Sequence, residues 1–173
     1  LNRTVKDVTL RRERDIVRGV SPTKLRRVLR GSRLSSTRRH GKFAFAELKG
    51  RGWLVMHFGM TGYVKYFKDR DDEPEHTRLL LTFNNGYHLA YVSQRLLGRL
   101  SHAADVEEFV EKEALGPDAL SLRLDPFREI VSERRGMIKP MLMDQSAIAG
   151  IGNIYSDEIL FQAGIHPRAK ASG

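Results

Sequence analysis

Residues 143–158 have the sequence MDQSAIAGIGNIYSDE, which predicts a helix, a glycine turn and a second helix. Gly150 and Gly152 flank Ile151 in the turn, and the second helix begins at Asn153. Glycine lets a backbone approach a ligand closely because it has no Cβ. The first amides of a helix lack internal partners and lie at the positive end of the helix dipole, so they attract an anion.

The composition points to the nature of that anion. The chain has 173 residues and a formal net charge of +9, from 30 Lys+Arg against 21 Asp+Glu. This charge favours a polyanionic partner such as nucleic acid over a basic surface that only keeps the protein soluble. The hydrophobic fraction of 40% is typical of a globular chain, and the length suits one domain or one and a half.

Several protein classes are excluded or disfavoured by the same sequence. There is no cysteine, so neither a disulfide nor a thiolate metal site can form within these residues. No apolar run approaches the length of a transmembrane helix, and no signal-peptide pattern is visible. We therefore predict a cytoplasmic protein with no membrane partner, associated with the nucleoid if it is bacterial.

The order of the predicted elements indicates an α+β fold. A β-rich domain, antiparallel and resembling a sandwich, is predicted over residues 1–104, and a helical domain over 105–173, because strands precede helices along the chain. Ser21 and Pro22 predict one helix start within the first domain. The strands are predicted at 4–10, 42–48, 53–58, 63–67, 77–83 and 87–92, and the later helices at 106–110, 125–131, 137–143 and 153–163.

Residues 38–42, Arg-Arg-His-Gly-Lys, place four basic side chains and a glycine at the entrance of a predicted strand. Such a cluster suits a phosphate backbone, although a solvated basic loop is an equal alternative. Lys42 is expected to begin the strand. A positioned lysine can transfer protons if its pKa is lowered.

Residues 57–62, His-Phe-Gly-Met-Thr-Gly, close a predicted strand with two glycines. The expected bend pushes Met60 outward, where it could act as a wedge between DNA bases. The alternative is that Met60 packs in the core, as methionine usually does. His57 alone is more often a structural histidine than a functional one.

Residues 94–99, Gln-Arg-Leu-Leu-Gly-Arg, are predicted to follow the last strand. Two apolar residues lie here between two arginines. The pattern predicts either a second apolar side chain that inserts between bases, with arginines that bind phosphates, or apolar side chains that are buried and anchor the loop. Further candidate phosphate contacts are His76, Arg134 and Lys139.

Five motifs along the chain carry a resemblance to a known family. The motifs that carry it, in order, are residues 38–43, 54–62, 138–145, 149–155 and 163–167. Together they resemble the formamidopyrimidine-DNA glycosylase / endonuclease VIII family over nearly the whole chain. The resemblance implies a β-sandwich-like domain, a helix–two-turn–helix domain and double-stranded damaged DNA between them.

The resemblance also implies a reaction. An oxidised base of the formamidopyrimidine or 8-oxoguanine type is flipped out and excised, and the strand is nicked by β,δ-elimination, the AP lyase activity. The family nucleophile is the secondary amine of an N-terminal proline, which forms a Schiff base with the sugar.

Residue roles follow from the matching positions. Lys42 matches the family lysine that acts in β-elimination. The predicted DNA contacts are the histidines His57 and His76, the void-filling Met60, Arg95 and Leu97 on the side of the orphaned base, and Lys139, Gly152, Asn153 and Arg134 at the phosphate backbone. Leu97 occupies a position where many members have phenylalanine.

The chain departs from the family pattern at both ends. It begins at Leu1 without the opening Pro-Glu helix and stops at Gly173, before the zinc finger of the family. We therefore expect a fragment that binds DNA as a monomer, with no cofactor in this chain and without catalysis. The alternatives are a non-catalytic nucleic-acid-binding module and an RNA-binding protein that carries only the glycine turn.

Overall fold

A computed structural model describes residues 2–171 of the chain. These residues form two compact units. The first consists of residues 2–39 and 43–108, and the second of residues 40–42 and 109–171. The tip of one β-hairpin, residues 40–42, thus clusters with the helical residues of the second unit.

Eight strands form the body of the first unit, in the order β5-β7-β6-β1-β2-β3-β4-β8. Their bounds are β1 Arg3–Leu10, β2 Arg33–His40, β3 Phe43–Leu48, β4 Trp53–His57, β5 Tyr63–Phe67, β6 Thr77–Phe83, β7 His88–Val92 and β8 Arg99–Ala103. β1 joins the two halves, because it pairs antiparallel with β2 at one end and with β6 along the rest.

One apolar core lies between the two halves of this eight-stranded sheet. It contains Leu79, Leu81 and Phe83 from β6 together with Leu54 and Met56 from β4. Alternate positions of each strand point into it, as the two-residue period of a strand requires. The predicted fold class, a β-sandwich-like antiparallel domain followed by a helical domain, is confirmed.

The helices are mostly those that the sequence predicted. They are α1 Glu13–Ile16, α2 Pro22–Leu29, α3 Val106–Lys112, α4 Leu124–Ser132, α5 Ile138–Met143 and α6 Asn153–Gln162. The Ser21 side chain accepts a hydrogen bond from the Lys24 amide, which is the predicted N-cap. A short 3-10 turn, Arg70–Asp72, lies in the acidic loop between β5 and β6.

A second, smaller core holds the α5–turn–α6 arrangement of the second unit. It is formed by buried residues of both helices and of the segment between them: Ile138, Met141, Leu142, Ala147, Ile148, Ile151 and Leu160. A helix, a glycine turn and a second helix are therefore present, but the first helix already ends at Met143, so residues 144–149 of the stretch at 143–158 are not helical. None of the helices within residues 2–171 is long and apolar enough to cross a membrane.

Several predicted elements need correction. Strands β2 and β8 and the short helix α1 were not predicted. β2 has the polar sequence RLSSTRRH, whose strand conformation depends on pairing with β1 and β3 more than on its own apolar pattern. Lys42 does not begin a strand but lies in the turn before β3. The loop at 94–98 does not follow the last strand, because it connects β7 to β8.

Candidate nucleic-acid interface

The turn after β4 exposes a methionine on the first unit. Gly59 has φ +64°, in the left-handed region, and the Gly62 amide donates to the Phe58 carbonyl at 2.9 Å. A Cβ on Gly62 would overlap that carbonyl oxygen, so the turn needs glycine there. Met60 is 73% exposed. The alternative that Met60 packs in the core is therefore wrong.

The loop between β7 and β8 packs directly against this turn. A Cβ on Gly59 would lie 2.8 Å from the carbonyl carbon of Leu97. The Arg95 guanidinium Nη1 lies 3.5 Å from the Met60 sulfur, and Leu97 is 51% exposed. Leu96 has φ +56° and packs against the core. The structure thus brings Met60, Arg95 and Leu97 together. Leu96 is the apolar residue that anchors the loop to the core.

Buried groups beneath the two loops hold them in place. The Tyr91 hydroxyl donates a hydrogen bond to the His57 carbonyl at 2.7 Å, and burial raises the pKa of Tyr91 to about 12. A Cβ on Gly98 would overlap the Tyr91 hydroxyl. The Phe43 ring lies 5.1 Å from the His57 ring, and the Arg99 guanidinium lies 4.7 Å over the Phe43 ring. The Gly59 amide donates to His57 Nδ1 at 3.2 Å, so the His57 side chain contacts the backbone of the turn that carries Met60.

His76 lies in a polar groove of the first unit. The groove has a volume of about 460 Å³ and is lined by Thr61, Tyr63, Lys65, Pro74, Glu75, His76, Val92 and Gln94. His76 is exposed and has φ +60°. Thr61 connects the groove to the turn that carries Met60.

In the second unit, a tight turn carries Lys42 to the start of α6. The Gly41 amide donates to the Asp118 carboxylate at 2.6 Å, and His40 Nε2 lies 2.9 Å from the Gly116 carbonyl oxygen. The Lys42 ammonium lies 3.3 Å from the point that a Cβ on Gly152 would occupy. Although Lys42 is an exposed residue, partial burial lowers its pKa.

The glycine turn before α6 is held by one side chain, Gln145. Its amide nitrogen donates to the carbonyls of Met143, at 2.7 Å, and Ile151, at 2.9 Å. Its amide oxygen accepts from the Gly150 amide at 3.1 Å. Gly152 is the N-cap residue of α6, and without a side chain it leaves the helix start open to a ligand.

Two predicted phosphate contacts are paired with carboxylates in the second unit. Lys139 Nζ lies 2.6 Å from Asp157 Oδ1, in the first half of α6. Arg134 Nη1 lies 3.3 Å from Asp144 Oδ2. A hydrogen bond from the Ser146 hydroxyl is the main cause that lowers the pKa of Asp144, and the Ser146 amide adds to it. Asn153 is exposed at the start of the helix.

Sequence reasoning did not single out three residues that organise these sites. Asp118 follows Pro117 between two predicted helices, and nothing in its local sequence marks it as a support of the site. Gln145 and Gly98 carry no chemical signature of their own. Gln145 acts through hydrogen bonds to nearby backbone groups, and Gly98 acts by leaving room for the Tyr91 hydroxyl. The roles predicted for the site residues from the resemblance stay predictions. Within residues 2–171 the structure has no group of three or more residues suited to hold a metal ion.

Comparison with known proteins identifies the family. Residues 1–100 match the family described as "Formamidopyrimidine-DNA glycosylase N-terminal domain", and residues 115–173 match the one described as "Formamidopyrimidine-DNA glycosylase H2TH domain". The chain belongs to the formamidopyrimidine-DNA glycosylase family.

Curated relatives carry the same name. The chain is 37% identical over 158 residues to a formamidopyrimidine-DNA glycosylase of Solibacter usitatus, covering 91% of this chain and 57% of the relative. It is 36% identical over 161 residues to one of Moorella thermoacetica, covering 91% of this chain and 59% of the relative. The chain thus spans little more than half the length of these relatives.

Solved structures of similar fold contain DNA. The formamidopyrimidine-DNA glycosylase of Lactococcus lactis, bound to DNA with an AP site, matches with a TM-score of 0.88 and 25% identity, over 99% of this chain and 66% of that one. The same enzyme with DNA that contains FAPY-dG also matches with a TM-score of 0.88 at 25% identity, over 99% of this chain and 65% of that one.

Proposed function

We propose that this chain is the DNA-binding part of a base-excision repair glycosylase that flips out and excises oxidised bases. The observation that carries the proposal is the exposed Met60 on its glycine turn, with the Arg95 guanidinium beside its sulfur. Family membership and the DNA-bound structures of similar fold support it.

The arrangement of Met60, Arg95 and Leu97 suits insertion into a base stack. Extruding a base costs a few kcal/mol, and an inserted apolar side chain offsets part of that cost by filling the void. A turn that already holds Met60 outward loses little conformational freedom on insertion. The Arg95 guanidinium has the donors to bind the base that lost its partner.

The second unit suits a phosphate beside the lesion. The amides at the start of α6 carry partial positive charge, and Gly152 allows close approach. Lys42 and Lys139 add positive charge near the same helix start. We propose that Asn153 and Arg134 complete the backbone contacts. The lowered pKa of Lys42 suits proton transfer in β,δ-elimination, the AP lyase step.

The proposed function is tested by binding to a labelled duplex that carries one abasic-site analogue, with an undamaged duplex and a single-stranded RNA as competitors. We expect the abasic duplex to be bound most tightly, because its missing base removes the cost of unpairing. Equal affinity for both duplexes, or tighter binding to RNA, would instead favour a non-catalytic nucleic-acid-binding module.

A further inference from the structure

A buried carboxylate lies behind the turn that carries Lys42. Asp118 is 9% exposed and belongs to the segment between α3 and α4. Its Oδ2 accepts the Gly41 amide at 2.6 Å, and its Oδ1 accepts the Leu120 amide at 2.9 Å. The two oxygens of this side chain therefore join the Gly41 turn to the segment at 118–120.

The segment that carries Asp118 is itself fixed to the glycine turn. The Ala149 amide donates to the Pro117 carbonyl, and the Ala119 amide donates to the Ala149 carbonyl, both at 2.9 Å. A Cβ on Gly41 would lie 2.9 Å from the Ala149 Cβ. The Lys42 turn is therefore held between the Asp118 carboxylate and the residues that lead into α6.

We propose that Asp118 is a positioning residue that holds the Gly41–Lys42 turn so that the Lys42 ammonium lies at the start of α6, beside Gly152. This inference rests on the proposed function, in which Lys42 and the first amides of α6 bind one DNA phosphate. Asp118 itself does not contact DNA in this account. It acts by fixing the backbone one residue before Lys42.

The direction in which DNA affinity changes when Asp118 is replaced distinguishes a positioning role from a purely electrostatic one. Removing a negative charge near a phosphate site raises DNA affinity when charge alone matters. If Asp118 instead positions Lys42, removing the carboxylate lowers affinity, because the ammonium no longer stays at the helix start. The partial burial that lowers the pKa of Lys42 is consistent with such a fixed position.

The test measures binding of the abasic-analogue duplex over a series of salt concentrations. The variants are Asp118→Ala, Asp118→Asn, Lys42→Ala and the double variant Asp118→Ala/Lys42→Ala. Asp105→Ala is the matched control, because Asp105 also accepts a backbone amide, that of Glu107, but belongs to the first unit, whereas the Lys42 turn belongs to the second. Circular dichroism verifies the folding of each variant.

We expect Asp118→Ala and Lys42→Ala each to make the salt dependence shallower by about 0.9 in log–log slope, the value for one lost phosphate contact. The double variant should bind no more weakly than Lys42→Ala, since both changes remove the same interaction. Asp118→Asn, which keeps one acceptor oxygen, should retain part of the affinity. Asp105→Ala should keep the wild-type slope.

Additive losses in the double variant, or an unchanged slope for Asp118→Ala, would overturn the inference while the proposed function stands. An unchanged slope for Lys42→Ala would overturn both, because Lys42 would then contact no phosphate. If Asp118→Ala fails to fold, Asp118→Asn and the double variant Asp118→Asn/Lys42→Ala take its place. Additive losses or an unchanged slope would again overturn the inference.

Discussion

The Tyr91 hydroxyl donates a hydrogen bond to the His57 carbonyl oxygen at 2.7 Å. This contact ties β7 to the last residue of β4, just before the turn that carries Met60. Gly98 lies so close that any side chain there would meet the same hydroxyl. The turn and the loop that present the proposed wedge residues are thus supported by one buried phenol.

Gly98→Ala should destabilise the protein by about 1–3 kcal/mol, the usual cost of overpacking a filled site. The added methyl group would overlap the Tyr91 hydroxyl. Urea unfolding measures the loss. Because the worst overlap is with the hydroxyl oxygen, and the His57 carbonyl oxygen lies 2.8 Å from the same Cβ position, Tyr91→Phe should recover part of the stability of Gly98→Ala. If the double variant is no more stable than Gly98→Ala, the Tyr91 hydroxyl is not the cause of the destabilisation.

Tyr91 should titrate later than an ordinary tyrosine. Burial raises its pKa to about 12 in the folded protein, against 10.0 for the exposed side chain. Between these values the unfolded chain releases the proton and the folded one keeps it, so stability falls as pH rises through this window. Tyrosinate absorbance of wild type and Tyr91→Phe measures the titration. A pKa near 10 for Tyr91 would contradict the buried environment.

Met60→Ala should weaken binding to the abasic-analogue duplex more than binding to undamaged DNA. The truncated side chain no longer fills the void in the stack, whereas the phosphate contacts are unchanged. Anisotropy titrations of both duplexes give the ratio. Leu120→Ala is the control, since Leu120 is even more exposed, at 84%. Equal losses on both duplexes would remove Met60 from the wedge role.

Lys139→Ala and Asn153→Ala should both weaken DNA binding but differ in salt dependence. Only Lys139 carries a charge, so only its removal should make the log–log slope shallower, by about 0.9. Salt titrations of the two variants and of Lys68→Ala, an exposed lysine of the first unit, make the comparison. A wild-type slope for Lys139→Ala would show that Asp157 keeps Lys139 away from the phosphate.

Asp144→Asn should lower stability at neutral pH and lose that effect in acid. Hydrogen bonds from Ser146 hold the pKa of Asp144 below its ordinary value in the folded protein. The stabilisation is therefore present above the unfolded pKa and is lost as pH falls through the folded one. Thermal unfolding across acidic pH measures the difference between wild type and Asp144→Asn. A constant difference at all pH values would contradict the assignment.

The strand pattern shows where local sequence is sufficient and where it is not. The alternation in β3 and the Asn84-Asn85-Gly86 turn before β7 predict a half-buried sheet without reference to the rest of the chain. β2 cannot be predicted in this way, because its polar residues become a strand only between β1 and β3. The loop at 94–98 was placed wrongly for a related reason, since β8 after it is short and has only Leu100 and Ser101 buried.

Composition and local pattern were sufficient to predict the classes of structure and the candidate site residues of this protein. Its charge, its glycine turn at 150–152 and its strands-then-helices order are local or compositional properties, and such properties are readable without coordinates. They are enough to predict an α+β nucleic-acid-binding chain with Met60 and Lys42 among its candidate site residues.

Which of those residues come into contact depends on the folded chain. The contact between Arg95 and Met60 joins residues 35 positions apart, and the one between Asp118 and Gly41 joins residues 77 apart. Such pairs are set by how strands pair and cores close, which depends on the whole chain at once. A hydrogen bond between distant residues leaves no periodic pattern in the sequence, so the supports of the site became visible only in the fold.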